Sequence, residues 1–408
     1  MRKLRTLCGL VALALACLAQ TRPVNDAEVE RIHRSMLLID THNDITSRTV
    51  GENGMAGYDI GKNKHDGHTN VTALKEGGVG AQFFAVYVDS SYVKDNHSAN
   101  RTLQMIDTVR HDIVERYPND FVLATTADDI ERIHKQGKIA ALMGIEGGHA
   151  IEDSLRLLRD YHDLGIRYMT LTHTNTNSWA DSSGDAEKAG VEHHNGLTPF
   201  GKQVVREMNR LGMMIDISHT ADKTFWDALE TSKAPIIASH SSCRALCNVP
   251  RNMTDEMIAA LGKKGGVMQI NFNCGFLSEK SAAASKNVEA GMLANLGANP
   301  GAISEDTLIE EYRKKVAPAT LADVVAHIDH AVKIGGIDAV GIGSDFDGVF
   351  CTPTGLEDVS KFPNLTRALI EKGYSAADIR KIYGGNTLRV MRAVEAEARR
   401  EQSAAASN

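Results

Sequence analysis

Apolar runs of strand length recur along the chain, and several end on polar, metal-capable side chains. Residues 36–40 lead into His42, Asn43 and Asp44. Residues 139–145 end in Glu146, residues 213–218 in His219, and residues 235–239 in His240. Four more runs, at 80–87, 168–172, 266–271 and 339–343, have the same length and β-rich character. Helical patterns with start and stop signals lie between them. Residues 153–163 carry Leu155 and Leu158 on one face, and Gly165 follows as a breaker. Thr198-Pro199 opens a helix holding Val204, Val205 and Met208, closed by Gly212, and residues 254–261 repeat the plan before Gly262. Alternating β and α with short turns reads as a parallel sheet. Eight such units favour an α/β fold closed as a TIM-like (β/α)8 barrel over an open doubly wound sheet. No Gly-rich phosphate fingerprint opens the first helix, which disfavours a dinucleotide fold.

Two regions break the repeat. Residues 280–317 are rich in Ala, Gly and Ser, then charged. They read as a partly helical insertion between the seventh strand and its helix. Residues 364–400 read as two or three helices packed outside the barrel, and 403–408 as a disordered tail.

The chain has 408 residues with no internal repeat or linker, so 20–402 reads as one catalytic barrel domain. The net charge of -7 and the lack of a basic stripe exclude nucleic acid as a partner. Arg2, Lys3 and Arg5 precede a short apolar stretch at 7–18, too short to anchor the chain across a membrane. Residues 1–19 therefore read as a signal peptide cleaved before Gln20, with lipidation at Cys17 as the alternative. A secreted or periplasmic protein without a transmembrane anchor is expected. That oxidising setting allows one disulfide among Cys243, Cys247, Cys274 and Cys351, with Cys243 and Cys247 read as structural.

In a barrel, His42, Asp44, Glu146, His219 and His240 converge on the rim where the active site belongs. Three imidazoles and two carboxylates suit zinc. His42 and Asp44 are two apart, which puts both on one face of an extended chain. His219 and His240 end consecutive strands, ~4.8 Å apart in a parallel pair, close enough to share one ion. Glu146, flanked by glycines, can bridge two cations. Asp345 follows the last strand among small and apolar neighbours, which suits a proton shuttle. Asp347 reads as the cap of the next turn. His173 is a candidate electrophile or oxyanion partner, and His149 a support behind the ligands. His327 and His330 read as surface residues of a helix, and His65, His68, His193 and His194 as loop residues.

These residues stand in motifs that resemble the membrane (renal) dipeptidase family of zinc peptidases. The motifs are Asp40-Thr41-His42-Asn43-Asp44, Gly144-Ile145-Glu146-Gly147-Gly148-His149, Leu171-Thr172-His173-Thr174-Asn175, Asp216-Ile217-Ser218-His219, Ser239-His240-Ser241-Ser242, Arg251-Asn252, Gly343-Ser344-Asp345-Phe346-Asp347-Gly348 and Gly355-Leu356-Glu357-Asp358-Val359-Ser360. The resemblance implies a binuclear site of two Zn2+ ions. His42 and Asp44 would hold one, His219 and His240 the other, and Glu146 would bridge them. It also implies that His173 and Arg251 contact a dipeptide substrate and that Asp345 transfers the proton. A guanidinium fork suits a free carboxylate. Asn175 stands where the animal enzymes carry a cysteine, Asn273 where they carry an aromatic, and the C-terminus has no hydrophobic anchor tail.

The reading is a zinc dipeptidase in which a bridging hydroxide attacks the peptide carbonyl and Asp345 shuttles the proton. Dipeptides with C-terminal D-residues are within its scope, and a homodimer is left open. The rivals are a barrel amidohydrolase acting on a cyclic amide or β-lactam, and a non-catalytic binding protein.

Overall fold

The computed structural model describes residues 24–51, 57–62, 67–298, 312 and 314–406. The signal segment, Cys17, His65 and residues 299–311 of the insertion lie outside them.

Nine strands form one sheet: β1 (Leu38–Asn43), β2 (Val79–Tyr87), β3 (Phe121–Leu123), β4 (Ile139–Glu146), β5 (Ile166–Thr170), β6 (Met214–Asp216), β7 (Ile237–Ser241), β8 (Val267–Ile270) and β9 (Val340–Ile342). Eight follow one another as parallel neighbours in the order β1-β2-β4-β5-β6-β7-β8-β9, and β3 pairs with β4 off this path. That three-residue strand has no counterpart among the apolar runs; it is too short to show a period. The seam between β9 and β1 closes above the strands. Asp345 N donates to the His42 carbonyl at 3.1 Å and Asp44 N to the Phe346 carbonyl at 2.8 Å. The result is a nearly closed (β/α)8 barrel.

Alternation within the strands sorts side chains into two apolar layers. Ala140 and Leu142 of β4, Ala81 and Phe83 of β2, Tyr168 of β5 and Met214 of β6 fill the interior. Ala141, Met143 and Ile145 face the surrounding helices instead. The floor of the barrel is covered by Ile130 and Ile133 and by Leu388, Val390, Met391 and Val394 of the last helix, Asn386–Ala406. That helix runs through Ser403, where a disordered tail is expected from sequence. Helices Phe362–Lys372 and Ala376–Arg380 precede it. The helix Glu279–Ala298 begins the insertion.

Start signals act as the sequence suggests. Thr198 caps the helix Pro199–Leu211 through Gly201 N, and Gly212 ends it at φ 84°. Thr254 caps Asp255–Lys263, but Gly262 lies inside that helix rather than closing it. Cys274 and Cys351 form a disulfide that ties the segment after β8 to the one after β9, while Cys243 and Cys247 are free and buried.

Candidate metal centre and active site

At the upper end of the barrel, Glu146 ends β4 with its side chain in line with Ala140 and Leu142 below it. Its two oxygens face different partners. His42 Nε2 lies 3.5 Å from Glu146 Oε2 and 3.2 Å from Asp44 Oδ2. His219 Nε2 and His240 Nε2 lie 3.0 and 3.3 Å from Glu146 Oε1, and 2.9 Å from each other. Simple alternation does not explain the two strand-borne histidines. The pairing of β1 shifts register between Asp40 and Asn43, and that of β7 between Ala238 and Ser241. Each irregularity spans a histidine, as bulges near active sites commonly re-aim a side chain. His219 stands at φ 65°, a left-handed conformation that few side chains adopt.

A fit to divalent cations follows from the atoms themselves. His42 Nε2 is buried with no hydrogen-bond partner. Two imidazole nitrogens crowd one carboxylate oxygen at hydrogen-bond distance. The ligand atoms of His42, Asp44 and Glu146 lie within 4.8 Å of one another, as do those of Glu146, His173 and His219. Such a set of lone pairs is what a metal pair would satisfy.

Partners behind the imidazoles turn their lone pairs inward. The Tyr168 hydroxyl lies 2.8 Å from His42 Nδ1 and donates to the Thr41 carbonyl at 3.1 Å. Its oxygen therefore accepts from Nδ1–H, leaving Nε2 free to ligate. Gly144 makes room for that ring, because a Cβ there would lie 2.0 Å from it. On the other side, Asp216 accepts from Ser218 N, Ser239 N, Ser239 Oγ and Thr170 Oγ1 at 2.5 to 3.0 Å. Ser239 Oγ, its proton spent on Asp216, accepts from His240 Nδ1 at 2.8 Å. Neither Tyr168 nor Asp216 was singled out as a site residue from the sequence. An acid inside an apolar strand is the signal for Asp216, since a buried carboxylate needs donors.

Electrostatics divide the site. Burial alone would raise the Glu146 carboxyl, but His42, His173, His219 and His240 around it hold it well below the usual range. Burial, with Arg251 nearby, keeps His219 and His240 well below an ordinary imidazole and hence neutral. Asp345 goes the other way. Burial raises it well above an ordinary carboxyl, against the attraction of His42, while Asp44 and Glu146 add repulsion. Its Oδ2 accepts from Asn271 Nδ2 at 2.8 Å.

His173 stands at the mouth, its Nε2 3.8 Å from Glu146 Oε1, between the rings of Tyr87 and His219. Arg251 lies across the site. Its two terminal nitrogens donate to Ser241 Oγ and the His240 carbonyl at 2.8 and 2.7 Å, and it rests over the Phe276 ring. Nε has no partner. Burial pushes this guanidinium down to about 10, still fully charged at neutral pH.

Some expectations need correction. Asp347 does not cap the next turn. It is bound to His68, accepting from His68 N and donating its own N–H to His68 Nδ1, with Arg48 beside it. His68 lies in a loop, as expected, but is buried there. His327 is buried as well, bonded to Cys243 N and the Leu277 carbonyl. His149 binds the Val88 carbonyl and touches no predicted ligand through a hydrogen bond.

Comparison with known proteins bears on this geometry. The family model for membrane dipeptidases (peptidase family M19) matches residues 26–405. Mouse dipeptidase 3 is 35% identical over 364 residues, 89% of this chain and 65% of that protein. The chain thus spans just under two thirds of that relative's length. Among solved structures, the probable dipeptidase PvdM from Pseudomonas aeruginosa superposes with a TM-score of 0.76 at 27% identity, covering 91% of this chain and 98% of the other. A metallopeptidase from Rhodobacter sphaeroides, liganded with a phosphinate mimic of the dipeptide L-Ala-D-Ala, gives a TM-score of 0.68 at 25% identity, covering 88% and 99%.

Proposed function

The chain belongs to the membrane dipeptidase family, and from that premise we propose that it is a two-zinc dipeptidase cleaving dipeptides with a free C-terminal carboxylate. The observation that carries this reading is Glu146, one oxygen toward His42 and the other toward His219 and His240, with Arg251 across the site. His42 and Asp44 would hold one ion, His219 and His240 the other, and Glu146 both. Bound zinc would supply an acidified water and polarise the substrate carbonyl. The chain's residues do the rest. His173, at the mouth and close to Glu146, donates to the oxygen on which charge develops. Asp345, held by Asn271, accepts a proton and passes it to the leaving amine; its raised affinity for protons suits that exchange.

Arg251 explains the restriction to short substrates. A part-buried cation that keeps further N–H groups beside its bonds to Ser241 and His240 would bind the C-terminal carboxylate of a dipeptide. A charge-assisted bond of this kind is worth ~1.5 to 3 kcal/mol. Arg251→Ala should raise KM for a free dipeptide by at least about ten-fold. The C-terminal amide of the same dipeptide offers no anion and should be little affected. Equal changes for both would remove Arg251 from the substrate site. The phosphinate mimic of L-Ala-D-Ala bound by the relative supports including D-residues at the C-terminal position. Paired L,L and L,D substrates test that extension. No helix among the described residues is long and apolar enough to cross a membrane. The proposed location remains secreted or periplasmic.

A further inference from the structure

The seam of the barrel contains a second buried carboxylate that the proposed mechanism does not use. Asp40, on β1, is fully buried and lies two residues before His42. Both of its oxygens bind Ser344, across the gap between β1 and β9, and Oδ1 also accepts from His42 N at 3.4 Å. Oδ1 accepts from Ser344 N at 2.8 Å, and Oδ2 accepts from Ser344 Oγ at 2.6 Å. Ser344 is itself fully buried and immediately precedes Asp345. Its hydroxyl oxygen in turn accepts from Phe346 N at 3.2 Å. Asp345, between these two fixed residues, stands at φ 63°. A non-glycine residue holds a left-handed conformation only where its surroundings over-determine it. Here no regular ladder does so: β1 and β9 are joined by the bridge between Asn43 and Phe346, a few backbone bonds around it and the bond from Thr41 Oγ1 to the Ile342 carbonyl at 3.1 Å. Beside the bonds that Asp345 makes itself, the two-point grip of Asp40 on Ser344 fixes the residue from which Asp345 departs.

We infer that Asp40 is a positioning residue for Asp345, acting through Ser344 to set where the Asp345 carboxyl meets the substrate. It makes no contact with substrate. The inference rests on the reading of Asp345 as the proton-transfer residue. Asp40 supplies shape rather than charge: one acceptor for an amide N–H and one partner for a hydroxyl. An asparagine can do both, its oxygen accepting from Ser344 N and its NH2 donating to Ser344 Oγ, whose proton then turns to the His42 carbonyl 3.3 Å away.

The test is steady-state kinetics on the zinc-loaded full chain, with metal content and melting temperature measured for every variant. Asp40→Ala should lower kcat by about ten- to a hundred-fold, the scale of a displaced catalytic group. KM and metal content should stay near those of the parent. Asp40→Asn should recover most of kcat. In an Asp345→Asn background, Asp40→Ala should cost almost nothing more, because the group it positions is already gone. If Asp40→Ala does not fold, Ser344→Ala replaces it: the amide bond remains, the hydroxyl bond is lost, and a several-fold loss of kcat is expected that again vanishes beside Asp345→Asn. Additive losses, loss of metal, or an Asp40→Asn as damaged as Asp40→Ala would each overturn the inference. A fully active Asp345→Asn would instead overturn the mechanism on which it rests.

Discussion

The two halves of the candidate metal centre are built by different means. His42 and Asp44 come from one strand end, so a single segment fixes their separation. Behind the His42 ring stands one phenol, Tyr168, reaching it through space left by Gly144. His219 and His240 come from the ends of two strands, and β6 and β7 share only one paired position, Asp216 with Ile237. Backbone pairing is too sparse there to set the distance between the imidazoles. Asp216 does that work instead, drawing the backbone N–H groups of Ser218 and Ser239 onto one oxygen. One half is held by chain continuity and the other by a buried anion. The second kind of support concentrates its vulnerability in a single residue.

The largest expected effect falls on the residue that both halves share. Glu146→Gln replaces one acceptor oxygen by an NH2 group, so one half loses its ligand outright and the other keeps a weaker, uncharged one. Zinc content should fall from about two ions per chain toward none, and activity should go with it. His42→Ala, by contrast, should mainly weaken one ion. Chelation of the parent should abolish activity. Elemental analysis that finds one ion or none in fully active enzyme would end the binuclear reading and the comparison with it.

Substitutions behind the ligands separate the two halves more finely. Asp216→Ala leaves two buried backbone N–H groups and two hydroxyls without their acceptor. It should weaken the His219/His240 ion by about ten- to a hundred-fold, the usual range for partners behind metal ligands, and lower the melting temperature as well. Tyr168→Phe removes one bond at His42 and keeps the ring. It should weaken the other ion at the lower end of that range, with little change in melting. Competition with a calibrated chelator reads both affinities. A larger loss for Tyr168→Phe than for Asp216→Ala would reverse the ranking.

How much of this was visible in the chain follows the same division. The eight barrel strands and their polar ends were legible because an apolar run of strand length that ends on His, Asp or Glu leaves a strong local mark. His42, Asp44, Glu146, His219 and His240 were found that way, and the structure brings them together. The supporting residues left weaker marks. Tyr168 lies within a run that looks like ordinary core. Asp40 and Asp216 are acids inside apolar strands, a sign that donors must converge on them, but which donors is decided by strand neighbours far away in sequence. The register shifts at His42 and His240 belong to pairing between strands, and no single segment encodes them. His327 reads as a surface residue of a helix, although Val324, Ile328 and Ala331 put it on the buried face of the helix Leu321–Gly335.

That misread histidine yields the smallest prediction and sharpens any measurement of the two halves at low pH. Acid releases metal by protonating the ligand imidazoles, so a fall in activity below neutral pH would be credited to the site. His327 adds a fall of its own. Burial pushes it from 6.5 down to about 4, against a weaker opposing effect of its bond to the Leu277 carbonyl. A histidine depressed in the folded state contributes its stability fully above the unfolded value. That contribution is lost as pH drops from about 6.5 toward 4, because the unfolded chain takes up the proton first. The slope from one such group is at most about 1.4 kcal/mol per pH unit. Urea unfolding of the metal-free protein at a series of pH values should show it, and His327→Gln should flatten that slope while starting from a lower stability at neutral pH. An unchanged slope in His327→Gln would mean that the acid sensitivity of the fold lies elsewhere, and the two halves of the site would become its first suspects.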